Sequence, residues 1–197
     1  MSPEPPRLIL ASSSPRRQQL LRESAYEFIV HPSNIDEDNV PVNLLPVEIA
    51  RYLAFEKARP VATQFPSDIV LAADTVVAFG DKSLGKPETP EEAYRMLSLL
   101  SATTHIVITG VTVMRHDTGF QRTRSAMSAV RMRRLLPLEI EAYVRSGDWR
   151  GKAGGYGIQD QDPFVTRMAG SHSNIVGLPM ELTSEMLADA GVFPKTM

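Results

Sequence analysis

Short apolar segments alternate along this chain with segments whose apolar residues recur at helical spacing. Apolar runs of this length between turn residues are typical of buried strands. Strands that alternate with helices favour an α/β fold, because each helix can cover a face of the sheet. We expect a mixed, twisted sheet flanked by helices, with two lobes around a central cleft and a lobe boundary near residues 80–90. The predicted strands are 7–11, 26–30, 69–73, 106–114 and 125–132, and the predicted helices begin at 15, 46, 90, 138 and 180.

Helix-start signals sharpen several of these boundaries. Ser14 is a good N-cap and Pro15 suits the first helical position. The run Thr-Pro-Glu-Glu at 89–92 has the form of a capping box with proline behind the cap. The longest predicted helix spans 46–64, and we expect Pro60 to kink or end it.

Composition excludes several classes of protein. The chain has 197 residues, a formal charge of −2 and no cysteine. The lack of cysteine excludes a disulfide scaffold, a thiolate zinc site and a cysteine nucleophile. The near-neutral charge gives no reason to expect nucleic acid or an anionic membrane as partner. Because no secretory signal pattern and no membrane-length apolar run are present, we expect a cytoplasmic protein.

The first candidate site lies at 11–17, where a predicted strand passes into a helix N-terminus. Exposed backbone N–H groups there attract anions, and Ser12, Arg16 and Arg17 add donors that suit phosphate oxygens. The alternative is an ordinary capped helix with two surface arginines.

Carboxylates form the second candidate. Asp74 follows the apolar run 69–73, and ligands of open α/β sheets gather at the carboxyl ends of strands. An aspartate there can hold a divalent metal or accept a proton from water. Asp36, Glu37 and Asp38 form an acidic loop that gains meaning only if it pairs with Asp74. The alternatives are a turn aspartate and a solvated loop.

Lysine is scarce, with five residues in the chain, and its placement is therefore informative. Lys57 lies on a predicted helix, Lys86 follows a glycine, and Lys152 lies in the glycine-rich stretch 147–157. As compact cations these side chains suit phosphate, although most lysines are solvated surface groups, as we expect for Lys82 and Lys195. The glycine-rich stretch matches neither a Walker A loop nor a dinucleotide-binding fingerprint, and no serine-hydrolase elbow occurs.

Together these segments resemble one family, the Maf-like nucleoside triphosphate pyrophosphatases. The resemblance covers roughly residues 7–190 and indicates a single Maf-like domain over 1–197. Its motifs follow the family order at 11–17, 36–37, 56–58, 73–77, 85–87, 109–111, 152–154 with 156–159, and 176–179.

The resemblance implies hydrolysis of a nucleoside triphosphate between the α and β phosphates with a divalent cation, Mg²⁺ or Mn²⁺. It implies a proton acceptor at Asp74 and a metal held by Glu37 and Asp74, with Lys57 and Lys86 completing the catalytic set. The family also suggests a homodimer. The substrate-binding residues that it implies are Ser12, Arg16, Arg17, Thr75, Lys152 and Gln159.

Three positions indicate the subfamily. Arg16, Thr75 and Gln159 match the members that resemble dTTP/UTP pyrophosphatases. Members that resemble 7-methyl-GTP pyrophosphatases carry Trp, Gln and Glu at these three positions. Two departures stand against the pattern: the family usually has glycine at the positions of Ala102 and Asp160, and 161–163 is also unusual. We expect the added carboxylate of Asp160 to affect nucleotide preference more than the reaction.

Two other functions stay open at this point. One is a nucleotide-binding regulator of cell division, which would bind without turnover. The other is a nucleotide-sugar or phosphoryl-transfer enzyme with a similar phosphate site. No recognised nucleic-acid module or basic tail is present in the sequence.

Overall fold

A mixed sheet runs through the computed structural model, which describes residues 6–37, 39–159 and 164–195. The strands are β1 (Leu8–Leu10), β2 (Ile29–Val30), β3 (Ile69–Phe79), β4 (Lys82–Leu84), β5 (Thr104–Arg115), β6 (Phe120–Met132) and β7 (Val165–Ala169). Their order in the sheet is β2-β1-β3-β5-β6-β7, with β4 paired to β3. The pairs β1–β2 and β1–β3 are parallel, whereas β3–β4, β3–β5, β5–β6 and β6–β7 are antiparallel.

Helices cover both faces of this sheet, which confirms the predicted α/β class. Four of them begin with proline, whose fixed φ and missing N–H suit the first helical turn. The Thr89 hydroxyl accepts from the Glu92 N–H at 3.2 Å, which confirms the predicted cap. The helices are α1 (Pro15–Glu23), α2 (Pro46–Gln64), α3 (Pro90–Leu100), α4 (Pro137–Ser146), α5 (His172–Val176) and α6 (Met180–Asp189), with a 3₁₀ turn at Ala153–Gly155.

The core lies on both faces of β3, whose side chains alternate between them. Leu71 packs in a cluster with residues of α1 and α6, whereas Val70 and Ala72 pack against α2. Further along the strand, Val77 enters a third cluster beneath α3 and α4. A strand buried on both faces needs a continuous apolar run, as residues 69–73 supply.

One side of β3 carries a notch. β1 pairs with it as far as Leu10 opposite Leu71, and β4 pairs with it from Leu84 opposite Val77. Between these points, over 72–76, no strand of the described ranges pairs with that side, while β5 continues on the other. On this side, residues 72–76 of β3 can therefore be contacted by segments that do not belong to the sheet.

Several local predictions need correction. The predicted strand 26–30 is reduced to β2, because the Tyr26 N–H bonds to the Leu21 carbonyl and closes the end of α1 instead. Pro60 does not end α2, which continues to Gln64. β4, β7 and α5 were not predicted. The predicted strands 106–114 and 125–132 are present within β5 and β6, which pair as an antiparallel hairpin. The single-domain organisation and the lobe boundary near 80–90 stay predictions.

In the part of the chain that the structure describes, no helix combines the length and the apolar character needed to cross a membrane.

Candidate active site

A cleft of about 420 Å³ opens at the notch in β3. Its walls come from the β1–α1 connection, α2, β3, the segment before α3, the glycine-rich stretch and the end of α5. Nine of the ten predicted site residues line it, and the tenth, Asp74, lies directly behind Lys57. The nine are Ser12, Arg16, Arg17, Glu37, Lys57, Thr75, Lys86, Lys152 and Gln159.

Arg17 is buried at the base of the cleft rather than lying on the surface. Its guanidinium donates to the Gly177 carbonyl at 2.8 Å, the Ser12 hydroxyl at 3.1 Å and the Thr75 hydroxyl at 3.3 Å. Burial lowers the pKa of Arg17, and attraction to nearby carboxylates acts in the opposite direction. The planar fork of donors thus ties α1 to β3 and to the end of α5.

Arg16, the neighbouring arginine, bridges two walls of the cleft. Its Nη2 donates to the Gly151 carbonyl at 2.6 Å, so α1 is joined to the glycine-rich stretch. Lys152, from the same stretch, lies 3.4 Å from the Tyr143 hydroxyl through Nζ. Gln159 is exposed at the rim of the cleft.

Lys57 joins two carboxylates at the centre of the site. Its Nζ is 2.5 Å from Asp74 Oδ1 and 3.1 Å from Glu37 Oε1. Both Lys57 and Asp74 are buried, whereas Glu37 comes from the exposed loop after β2. Glu37 of the acidic loop is therefore joined to Asp74 through Lys57, which is the pairing that gives the acidic loop its meaning. Asp36 is exposed, and Asp38 lies outside the described residues.

The reason given for placing Asp74 in the site was wrong in one respect. Asp74 does not end its strand, because antiparallel pairing with β5 carries β3 on to Phe79. The strand that ends here is β1, and its end exposes the edge on which Asp74 lies. A crevice at the carboxyl end of a parallel strand is thus present, but that strand is β1 and not β3, which carries Asp74.

Gly110 on β5 allows α2 to approach the sheet closely. A Cβ at this position would lie 2.1 Å from the Ala50 carbonyl oxygen of α2, which is far inside van der Waals contact. Because Lys57 lies two helical turns further along α2, this contact helps to place its ammonium group against Asp74.

Glu37 also pairs with Lys86, whose Nζ lies 3.0 Å from Oε2. Burial alone would raise the pKa of Glu37, but the positive charges of Lys57 and Lys86 outweigh it and hold that pKa below its ordinary value. Glu37 is therefore ionised at neutral pH and shared between two ammonium groups.

Thr75 begins a chain of hydrogen bonds through the sheet. Its hydroxyl lies 3.0 Å from that of Thr109 on β5, which donates to the Asn174 carbonyl at 3.1 Å. The Asn174 amide donates in turn to the Val107 carbonyl and to the Ser128 hydroxyl, at 3.1 and 2.9 Å. These bonds fix α5 against the sheet and so align Gly177, the acceptor for Arg17.

Among the residues that line the cleft, Ser33, Arg150 and Tyr156 were not predicted as site residues, although Tyr156 lies in the motif at 156–159. The Arg150 guanidinium lies 4.6 Å from the ring of Trp149, which is buried. The position of Arg150 within the glycine-rich stretch was the available signal. The Ser33 hydroxyl oxygen is buried without a hydrogen-bond partner among the described residues, and nothing in its sequence context indicated this.

The donor set fits a divalent cation that is held jointly with a ligand. No group of three or more His, Cys, Asp or Glu side chains suited to a metal occurs within the described ranges. Glu37 and Asp74 supply two carboxylates beside a cationic cleft. Mg²⁺ commonly binds through one or two carboxylates together with water and substrate phosphates, which is the kind of donor that Glu37 and Asp74 offer beside Lys57.

The chain is similar to known proteins over nearly its whole length. Residues 7–190 match the family model described as "Maf-like protein". A "dTTP/UTP pyrophosphatase" of Moorella thermoacetica is 44% identical over 187 residues, covering 94% of this chain and 96% of that protein. Proteins of the same name from Cereibacter sphaeroides and Pyrococcus furiosus are 46% and 42% identical, covering 94% and 88% of this chain and 95% and 90% of their own.

One solved structure shares the fold. The structure of a HAM1 protein from Coxiella burnetii aligns with a TM-score of 0.53 at 20% identity, covering 94% of this chain and 100% of that one. The match over residues 7–190 and the relatives at more than 40% identity over nearly the whole chain show that this chain belongs to the Maf-like protein family.

Proposed function

We propose that this protein hydrolyses dTTP and UTP between the α and β phosphates, giving the nucleoside monophosphate and pyrophosphate. The observation that carries the proposal is the buried Lys57–Asp74 pair, joined by Glu37, at the base of a strongly cationic cleft. The relatives named dTTP/UTP pyrophosphatase support the same activity.

The cleft suits a triphosphate because its charges are concentrated. Donors that are fixed by protein hydrogen bonds stabilise charge on phosphoryl oxygens without first having to reorganise. Arg17 is such a donor, and Ser12 and Arg16 lie beside it at the start of α1. The cationic side chains that line the cleft are Arg16, Arg17, Lys57, Lys86, Arg150 and Lys152.

Asp74 acts as the proton acceptor. A water oxygen forms a bond to the α phosphorus, the bond between that phosphorus and the α–β bridging oxygen breaks, and its electron pair leaves with the pyrophosphate. The proton of the water passes to the Asp74 carboxylate. Lys57 holds that carboxylate in place through its 2.5 Å contact, so the acceptor is oriented before substrate arrives.

Glu37 and Asp74 would hold a divalent cation, Mg²⁺ or Mn²⁺, which when bound neutralises charge that develops on the phosphates. Arg16, Thr75 and Gln159 would select a pyrimidine, since their side chains offer both donors and acceptors to its polar edge. Thr75 is held by Arg17 and Thr109, and Gln159 lies at the rim. Cytoplasmic location and a homodimer stay predictions.

The test is pyrophosphate release from dTTP and UTP in the presence of Mg²⁺ or Mn²⁺, with and without EDTA. We expect turnover that EDTA abolishes, and a loss of about 10²–10⁴-fold in Asp74→Asn, because an amide cannot accept the proton. Asp81→Asn is the matched control, since Asp81 is exposed in the turn after β3.

Binding separates this proposal from its alternatives. If wild-type protein binds a non-hydrolysable α,β-methylene analogue of dTTP but releases no pyrophosphate from any nucleotide, the protein is a nucleotide-binding regulator. Full turnover by a folded Asp74→Asn protein would show that another group accepts the proton. Products that require an acceptor other than water would indicate a transferase.

A further inference from the structure

A buried histidine–tyrosine pair, of which Tyr156 lines the cleft and His105 lies behind it, takes no part in the proposed chemistry. His105 Nε2 is 2.6 Å from the Tyr156 hydroxyl, and the ring centroids are 5.4 Å apart in an edge-to-face arrangement. His105 is 2% exposed and Tyr156 is 5% exposed. A buried polar pair of this kind is costly unless its hydrogen bond is made, so its geometry is strongly specified.

His105 lies on the cleft side of the sheet. Side chains at alternate positions of a strand share a face, so His105, Val107 and Thr109 of β5 point the same way. Val107 lines the cleft, and Thr109 bonds to Thr75. Thr103 Oγ1, 3.4 Å from His105 Nδ1, sits against the other ring nitrogen. Burial lowers the pKa of His105 to about 4, so the imidazole is neutral at physiological pH.

Tyr156 lies in the stretch that carries two proposed substrate-binding residues, Lys152 and Gln159. This stretch has little room to shift, because a Cβ on Gly154 would lie 3.0 Å from a Val77 methyl and 3.1 Å from the Tyr156 ring. Gly154 has a φ of +67°, which other residues rarely adopt. We name residues 152–159 the glycine loop.

The glycine loop also supports the opposite wall. The Gly154 N–H donates to the Gly85 carbonyl at 2.9 Å, and Gly85 directly precedes Lys86. Lys86 in turn pairs with Glu37. The position of the glycine loop therefore affects cations on two sides of the cleft.

We propose that His105 is a positioning residue for the reaction: through the Tyr156 hydroxyl it fixes the glycine loop, and with it Lys152, Gln159 and the segment that carries Lys86. This inference rests on the proposed function for its substrate. His105 does not touch the nucleotide. It acts through a side chain that lines the cleft, and its removal takes away one of the hydrogen bonds that hold the loop in place.

The expected signature is a split between KM and kcat. A loop that holds binding groups contributes mainly to binding that is equal in the ground and transition states, so its loosening raises KM more than it lowers kcat. We expect Tyr156→Phe and His105→Leu each to raise the KM for dTTP about ten-fold with kcat within about three-fold of wild type. His105→Gln, which keeps a polar group at similar reach, should restore most of the KM.

Two further measurements separate positioning from stability. Because both residues act through one hydrogen bond, the double variant His105→Leu/Tyr156→Phe should raise KM no more than either single variant. Tyr26→Phe is the matched control, since Tyr26 is equally buried but packs in the cluster beneath α1 and α6. It should leave KM unchanged.

A Tyr156→Phe protein with the KM of wild type, in an assay where wild-type protein turns over dTTP, would overturn the inference and leave the proposed function intact. Additive effects of the two single variants would also overturn it. If wild-type protein shows no turnover, the proposed function fails, and the same variants are compared by their Kd for the α,β-methylene analogue. A Kd about ten-fold weaker in Tyr156→Phe then supports positioning, and an unchanged Kd contradicts it.

Discussion

Two lysines contact the same carboxylate from very different surroundings, and their replacement by methionine should have unequal effects on stability. Lys57 and Lys86 both reach Glu37, at 3.1 and 3.0 Å. The Lys57 side chain is 7% exposed and is also paired with Asp74, whereas Lys86 is 45% exposed. Methionine keeps the apolar stem of lysine and removes the charge, so the comparison isolates the ion pair.

The magnitude follows from burial. Removing one partner of a buried ion pair leaves an uncompensated charge and costs about 3–5 kcal/mol. Lys57→Met leaves Asp74 in that state, at 5% side-chain exposure. An exposed pair such as Lys86–Glu37 contributes about 0–1 kcal/mol, because water and salt screen it. Lys57→Met should therefore lower the free energy of unfolding by at least about 3 kcal/mol, and Lys86→Met by less than about 1 kcal/mol.

Urea unfolding measures the difference, with the fluorescence of Trp149 as probe. Trp149 is the single tryptophan of the chain and is buried, so unfolding exposes it to water. With a slope of about 2 kcal/mol per molar urea, Lys57→Met should lower the midpoint by more than about 1 M and Lys86→Met by less than about 0.5 M. The double variant Lys57→Met/Asp74→Asn should recover much of the loss, since it leaves no buried charge. Equal midpoints for the two single variants would refute the reasoning.

Two further predictions concern residues outside the cationic cleft. Ala102 is exposed with a φ of +60°, which costs a non-glycine residue about 1–2 kcal/mol. Ala102→Gly relieves this strain, although glycine also gains more entropy on unfolding, which offsets part of the gain in stability. The net effect should raise Tm by about 1–3 °C. An unchanged or lower Tm in calorimetry would contradict this. His105 has a folded pKa of about 4 against an ordinary 6.5, so the unfolded chain binds more protons between these values and stability falls as pH drops through that window. The loss is on the order of 3 kcal/mol, and His105→Gln should flatten that part of the urea-unfolding profile; a profile as steep as wild type would show that other groups cause the acid sensitivity.

Much of the fold was predictable because its signals are local. Proline at the first helical turn marks the starts of α1, α2 and α3, and the apolar run 106–114 marks β5. The missed elements are short and depend on partners. β4 forms because it pairs with β3, and α5 is held by hydrogen bonds from Asn174 to the sheet. The segments of β4 and α5 are too short to show a periodic pattern of apolar residues.

Motif order predicted residues that the structure brings around one cleft, but it did not predict their geometry. Motif order identified Lys57, Asp74 and Glu37, yet nothing in the sequence said that the lysine would stand between the two carboxylates. That arrangement depends on α2 approaching β5 at Gly110, which is a tertiary contact. The Asp160 departure lies outside the described residues, so its effect on nucleotide preference stays a prediction.

Net charge alone would not identify this cleft, because attraction of a polyanion depends on the local field rather than on the total. The chain carries −2 overall, yet six cationic side chains line one cleft, accompanied by Glu37 and, behind Lys57, by Asp74. The rest of the chain must therefore carry a net negative charge. Such a distribution favours a small anion that fits within the cleft over an extended polyanion that would also meet the surrounding surface. A nucleoside triphosphate, the substrate class that we propose, is an anion of that small size.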